Sequence, residues 1–232
     1  MISIFPAVNH DEHLFSILGR YQYYQSDSSP REILKDAFGK GSLRATVEFP
    51  THLEALSKSL SHLKKSKEDY LRAHTIFPMY EPFMTSEEAT ILKQMMFEDG
   101  GYRVKFKIGY VAGSILKKES LYYCIECIKE DVSNGIEPYF RTVHQMQGVQ
   151  VCSKHNVMLM PYPIARENMS VIRYYHLDYG LVSKIVSVDN PNQHLLEIAV
   201  AFDDIRDDIL EGIDLDAIKK AYRDRLRELG FI

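Results

Sequence analysis

The sequence predicts a mainly α-helical protein with a small zinc-ribbon-like α+β module. Helix start signals recur ahead of helically spaced apolar residues in the first half of the chain, and a CxxC pair is followed downstream by a CxxH pair. We therefore expect a helical, helix-turn-helix-like N-terminal domain over residues 1–118. A metal-binding module should follow over 119–165, and C-terminal helices over 166–232.

The composition is that of an ordinary globular protein. The 232 residues are 45% hydrophobic and 26% charged, which allows a sizeable buried core. No apolar run approaches the length of a membrane span, and the first residues lack the features of a signal peptide, so we expect a cytoplasmic protein with no membrane partner. The formal net charge is −4, whereas a protein that binds nucleic acid with most of its surface is usually basic. Any DNA contact must therefore be local.

Four helices are predicted in the N-terminal domain. An apolar face within residues 9–24 predicts the first, and three capping-box pairs predict where the others start. The pairs are Ser29 with Glu32, Thr51 with Glu54, and Thr85 with Glu88. Gly39 should end the second helix, and Gly100 and Gly101 the fourth.

The remaining elements are predicted from shorter patterns. Alternating apolar and basic residues over 102–110 indicate a half-buried strand, and residues 161–170 indicate a loop. A long helix with an acidic C-terminal half is expected over 192–210, followed by a capped basic helix over 214–230.

Two clusters of basic side chains are candidate DNA contacts. The first contains Lys58, Lys64, Lys65, Lys67 and Arg72, and the second contains Arg103, Lys105, Lys107, Lys117 and Lys118. Each cluster taken alone is also what an ordinary solvated surface would contain. The acidic side chains within 203–208 would repel DNA and are a candidate face for a protein partner.

The three cysteines have the spacing of a metal site. Cys124 and Cys127 are separated by two residues, and Cys152 and His155 repeat that spacing downstream. Two intervening residues let a tight turn bring both side chains onto one ion while backbone amides donate to sulfur, and Asn156 suits the left-handed backbone of such a turn. Three thiolates and an imidazole fill a tetrahedral shell, so we predict one structural Zn²⁺.

Other interpretations of these residues stay open. A redox CxxC pair would leave Cys152 and His155 unexplained and lacks a thioredoxin-like βαβ context, and the cysteines could simply be buried. Arg141 and His144 lie between the pairs and could pack beside the metal, although an ordinary core or surface position is the simpler interpretation. The chain has no Gly-rich phosphate loop, GxSxG or HExxH motif, so we expect no enzyme activity.

Four segments of the chain occur in a distinctive order. They are IFPAVNHDEHLFSILGRY, ATVEFPTHLEAL, HTIFPMYEPF, and the pair YCIEC with VCSKH. Together they resemble the TniQ/TnsD family of transposon target-site selection proteins, over residues 4–159. The second and third segments bring the chain closer to the N-terminal part of TnsD than to the shortest TniQ proteins.

The resemblance implies a bacterial protein of DNA integration, nucleoid-associated when on DNA. Such a protein selects the target site on double-stranded DNA and recruits the AAA+ ATPase TnsC. The resemblance also implies that Cys124, Cys127, Cys152 and His155 are the zinc ligands. In TnsD-like chains the final helix leads into further DNA-binding domains, so DNA reading is expected to lie mostly beyond residue 232.

Two other hypotheses differ in the partner. In one, the chain is a TniQ-like subunit that bridges an RNA-guided CRISPR effector to TnsC without reading DNA sequence. In the other, it is a zinc-stapled transcription factor that acts without an ATPase partner.

Overall fold

The chain folds mainly into short helices. A computed structural model describes residues 5–100, 103–107, 118–163 and 171–207, together with residues 220, 224, 227 and 228. Within these ranges the protein is mainly helical with one small two-stranded sheet, which confirms the predicted class. The helix-turn-helix-like and zinc-ribbon-like arrangements stay predictions, as do the three domain boundaries. None of the helices in these ranges is long and apolar enough to cross a membrane.

Five helices build the N-terminal region. They are α1 (Leu14–Tyr24), α2 (Pro30–Phe38), α3 (Leu53–Ser59), α4 (Lys67–His74) and α5 (Ser86–Phe97). Helix α3 packs against α2, α4 and α5. The apolar side of α3 lies in this contact, because Leu53, Leu56 and the C-cap residue Leu60 are fully buried.

Two of the three predicted capping boxes are confirmed. The side chains of Ser29 and Thr85 accept from the backbone amides of Glu32 and Glu88, whose carboxylates accept in turn from the backbone amides of the two caps. Helix α2 ends at Gly39, whose φ of 72° is the left-handed conformation expected of a glycine C-cap.

The predicted cap at Thr51 is wrong. Helix α3 begins one residue later, after His52, which has a φ of 64° and makes no side-chain cap. The backbone amide of His52 instead donates to the carbonyl of Glu98 at 2.7 Å. This contact with the end of α5 fixes the entry into α3, which a local pattern cannot reveal.

The predicted strand over 102–110 is wrong where the structure describes it. Arg103–Lys107 form a short helix, α6, which packs against α5. Val104 is fully buried there. Packing against a neighbouring helix has outweighed the strand propensity of a short alternating run.

The metal-binding module has little regular structure. Strands β1 (Tyr122–Tyr123) and β2 (Met160–Pro161) pair antiparallel, with α7 (Ile125–Ser133) and a 3₁₀ turn at Val143–Gln145 between them in sequence. The predicted loop therefore starts with a strand residue at Pro161. Its portion over 164–170 lies outside the described residues.

Residues 171–178 return across the outside of α1. At Gly19 the helix approaches this segment so closely that a Cβ atom would lie 2.2 Å from the carbonyl oxygen of Tyr175. The backbone amide of Tyr174 donates to Gln22 Oε1 at 3.1 Å. Glycine at position 19 is therefore what lets the segment cross.

The chain then forms α8 (Tyr179–Val182) and α9 (Gln193–Arg206). The predicted long helix is confirmed with Asn192 as its N-cap, and it ends at Arg206. Helix α9 contacts the 3₁₀ turns at Phe77–Met79 and Val143–Gln145. The predicted basic helix over 214–230 lies mostly outside the described residues.

A single cluster of buried apolar residues runs from Leu14 to Ala199 and includes all three cysteines. An ion pair also joins α1 to the module. Arg20 lies 2.7 Å from Glu137 of the module, and it is held in place by the buried Glu12 at 2.9 Å. The N-terminal helices therefore hold one side of the module in place.

Candidate metal centre

The first ligand pair is positioned by the start of α7. Cys124 is the N-cap of this helix, and its Sγ accepts a hydrogen bond from the backbone amide of Cys127 at 3.4 Å. The cap conformation turns both sulfur atoms to the same side. The amide-to-sulfur contact predicted from the CxxC spacing is present.

The second pair lies in a tight hairpin turn, which we call the knuckle (Cys152–Asn156). The amide of Cys152 donates to the carbonyl of Val157, and the amide of Asn156 donates to that of Cys152, each at 2.9 Å. Asn156 has a φ of 51°, which confirms the predicted left-handed conformation. The turn brings Cys152 and His155 to the side facing α7.

The four predicted ligands come together, and their donor atoms all lie within 4.8 Å of one another. The Sγ atoms of Cys127 and Cys152 are 3.6 Å apart. The Nδ1 of His155 lies 3.7, 3.3 and 3.7 Å from the sulfurs of Cys124, Cys127 and Cys152. A tetrahedral zinc site would separate two sulfurs by about 3.8 Å and sulfur from nitrogen by about 3.6 Å. The cluster therefore has the dimensions needed to hold such an ion.

The electrostatics of the cluster also favour a cation. Hydrogen bonds with Cys124 and Cys152 raise the pKa of the Cys127 thiol, and its burial raises it further. Hydrogen bonds from Cys124 and Cys127 lower the pKa of Cys152, and His144 contributes to this effect. Three thiolates at this spacing repel one another and require a bound cation to offset their charge.

Sequence analysis missed a carboxylate beside the histidine ligand. Glu130 lies one helical turn beyond Cys127, and its Oε2 is 3.5 Å from His155 Nε2. Lys154 donates to the same carboxylate at 2.6 Å. An imidazole whose other nitrogen faces a carboxylate is held in the orientation that a metal ligand needs. Glu130 follows Cys127 by three residues on a helix, and this spacing could have predicted that the carboxylate lies on the same side as the ligand.

Arg141 and His144, the two candidates between the ligand pairs, are part of the fold around the site. Arg141 donates two hydrogen bonds to Asp131, at 2.7 and 3.0 Å, and its Nε lies 3.1 Å from Asp11. His144 is buried. Arg141 therefore ties the N-terminal segment to α7.

The first basic cluster lies on α3, α4 and the 3₁₀ turn between them. Lys58 and Lys67 share one carboxylate, that of Glu54, at 2.6 and 3.5 Å. Lys64 is exposed and Lys65 is half-buried. Part of the positive charge of this cluster is therefore neutralised within the protein.

The second basic cluster is only partly described. Arg103 and Lys107 are exposed on α6, and Arg103 Nη2 donates to the carbonyl of Asp99 at 3.4 Å. The side chain of Lys105 and all of Lys117 lie outside the described residues.

Lys118 does not belong to a surface cluster. Its side chain is buried, and its Nζ donates to the carbonyls of His144 and Val149, each at 2.6 Å. The ammonium also lies 4.2 Å from the centre of the Tyr122 ring. Burial lowers the pKa of Lys118 to about 7. We therefore remove Lys118 from the candidate DNA contacts.

Comparison with known proteins places the candidate ligands within a known family domain. The TniQ family model matches residues 3–159, which include all four ligand positions. The chain belongs to the TniQ family. It is also 23% identical over 156 residues to the transposon Tn7 transposition protein TnsD of Escherichia coli. That match covers 67% of this chain and 31% of TnsD, so the TniQ chain described here corresponds to about a third of the relative's length.

Proposed function

We propose that this TniQ protein is a non-enzymatic adaptor for target-site selection in transposition, which binds target DNA and recruits the AAA+ ATPase TnsC. Membership of the TniQ family is the observation that carries the proposal. The likeness to a Tn7 transposition protein supports it. The described residues support it with a cluster of four candidate metal ligands and with exposed basic side chains such as Lys64 and Arg103.

The metal in this proposal is one structural Zn²⁺. The donor set is three thiolates and one imidazole, which suits zinc. Four protein ligands leave no open coordination position for water or a substrate, so the ion would shape the module rather than catalyse a reaction.

DNA contact in this proposal is local and rests on basic side chains. The candidates are Lys58, Lys64, Lys65 and Lys67 in the first cluster and Arg103, Lys105, Lys107 and Lys117 in the second. In the first cluster, Lys64 and Lys65 are the best placed, because Lys58 and Lys67 already pair with Glu54.

The first experiment is a footprint on DNA from the insertion site of the element, at two salt concentrations, with and without TnsC and ATP. We expect protection that weakens with salt. The double variant Lys64→Ala/Lys65→Ala should reduce the slope of log K against log salt by up to about 2, because each phosphate contact contributes about 0.9. The matched control is Lys129→Ala/Lys184→Ala, which removes the same charge from α7 and from the segment after α8.

The outcomes separate the parts of the proposal. Equal slopes for the two double variants would remove Lys64 and Lys65 as phosphate contacts. Protection that requires TnsC would place this chain on the recruiting side of the assembly. Co-purification with an RNA-guided effector, without protection of any DNA by the chain, would instead favour the CRISPR-bridging alternative.

A further inference from the structure

The metal-binding knuckle makes contacts outside the region that matches the TniQ family. Its first contact is with the start of α9. The side chain and backbone amides of Asn190 donate to Asn156 Oδ1 at 2.8 Å and to its carbonyl at 3.2 Å. Asn190 Oδ1 in turn accepts from the amide of Asn192, the N-cap of α9, at 2.9 Å. A hydrogen-bonded chain thus leads from the knuckle to the helix start.

The second contact lies near the other end of the same helix. Ser153, which follows the ligand Cys152 directly, donates its hydroxyl hydrogen to Asp203 on α9. Arg206, one turn further on, pairs with the same carboxylate at 2.9 Å. Asn192 and Asp203 are separated by about 16 Å of helix, so the knuckle contacts both the residue that holds the start of α9 and the last turns of the helix.

The apolar contacts of α9 are modest by comparison. Ala199 is the one apolar residue of α9 that is fully buried, among the described residues. Leu195, Leu196, Phe202 and Ile205 are only partly buried against the core. Ile198 and Val200 are exposed, at 42% and 40%. Partly buried apolar residues contribute little to fixing the position of α9. Its polar contacts with the knuckle therefore contribute more.

We infer that the knuckle is a docking site of α9 beside the 3₁₀ turns at Phe77–Met79 and Val143–Gln145, so that occupation of the metal centre and docking of α9 stabilise each other. The backbone turn that presents Ser153 and Asn156 is the turn that places Cys152 and His155 around the ion. Without the ion, no cation bonds to all three buried sulfur atoms. The backbone turn then loses the metal bonds that hold its conformation. The metal would then control the direction in which the chain leaves the TniQ region.

The direct test is hydrogen exchange of the 232-residue chain, loaded with Zn²⁺ or stripped with a chelator. We expect stripping to raise the exchange of amides in 193–206 at least about ten-fold, the factor that corresponds to losing a hydrogen bond to a charged group. Amides of α3 serve as the internal reference. Exchange in α9 that is unchanged by stripping, while the knuckle itself becomes exposed, would overturn the inference.

The reverse effect gives a second test, because coupling between two sites is reciprocal. Asp203→Ala should release zinc to a chromogenic chelator several-fold faster than Asp204→Ala, which removes the same charge from the next position of α9. Both variants are folded and loaded with zinc when the assay starts. Their release rates therefore test the inference even if the chain unfolds completely once zinc is removed. Equal release from the two variants would overturn the inference.

Discussion

The N-terminal helices and the metal-binding module are stabilised in different ways. Helices α1, α2, α4 and α5 have side-chain N-caps, and all five helices bury apolar residues. The module contains two strands of two residues each and one helix of nine, and its tightest cluster consists of the four candidate ligands. The helices can therefore form from local signals and apolar burial. We expect the turns of the module to depend on a bound ion.

The largest effect we predict is that of losing a ligand. Cys127→Ser removes the sulfur at the centre of the cluster, 3.6 Å from Cys152 and 3.3 Å from His155. We expect loss of the bound zinc and a fall of more than about 4 kcal/mol in unfolding free energy, since metal loss is among the few changes of that size. Zinc content and urea unfolding followed by circular dichroism measure both quantities.

The matched control is Lys129→Ala, on the exposed side of the same helix. Hydrogen exchange then shows where the order is lost. We expect the amides of 122–128 and 151–158 to lose protection before those of α2, α3 and α5. Simultaneous loss in all of these elements would contradict the comparison and show that the two regions unfold as one unit.

The sequence predicts those features that local signals determine. The caps at Ser29 and Thr85 follow from residue types at fixed spacings, and so does the clustering of the four candidate ligands; the structure agrees on both. The features that sequence analysis missed depend on distant residues. His52 replaces Thr51 at the start of α3 because its amide bonds to Glu98.

The same reasoning explains the other differences around the site. Lys118 is buried because two carbonyls, from His144 and Val149, receive its ammonium. The contact between Ser153 and Asp203 joins residues fifty positions apart. No sequence motif identifies the partners of Lys118 or of Ser153, so contacts of this kind can be found only in the folded structure.

The next largest effect we predict is a loss of stability at low pH, which arises from a buried histidine in the N-terminal helices. His74 is buried, with Nδ1 bonded to the carbonyl of Glu12 at 2.7 Å and Nε2 without a partner among the described residues. Burial lowers the pKa of His74 from its usual 6.5 to about 4. Between these values the unfolded chain binds a proton that the native chain does not, so stability falls as the pH drops from 6.5 to 4. At pH 5 the loss should be about 2 kcal/mol.

The variant His74→Asn isolates this contribution, because its amide can still donate to the carbonyl of Glu12. Acid also protonates the thiolates and releases metal, so variant and wild type are compared at the same pH. The difference in unfolding free energy between pH 7 and pH 5 should shrink in His74→Asn. It should persist in His194→Gln, whose side chain is 82% exposed. Equal pH dependence in all three proteins would assign the acid sensitivity to the module.

The smallest effect distinguishes real caps from apparent ones in the helical region. Ser29→Ala and Thr85→Ala each remove a side-chain oxygen that accepts from a backbone amide, and each should cost about 1 kcal/mol. Thr51→Ala should cost less than about 0.5 kcal/mol, because the Thr51 hydroxyl bonds to the ring of His52 rather than to the first turn of α3. Urea unfolding of the three variants measures the differences. A loss at Thr51 as large as that at Ser29 would mean that the capping box predicted by the sequence stabilises α3 in solution.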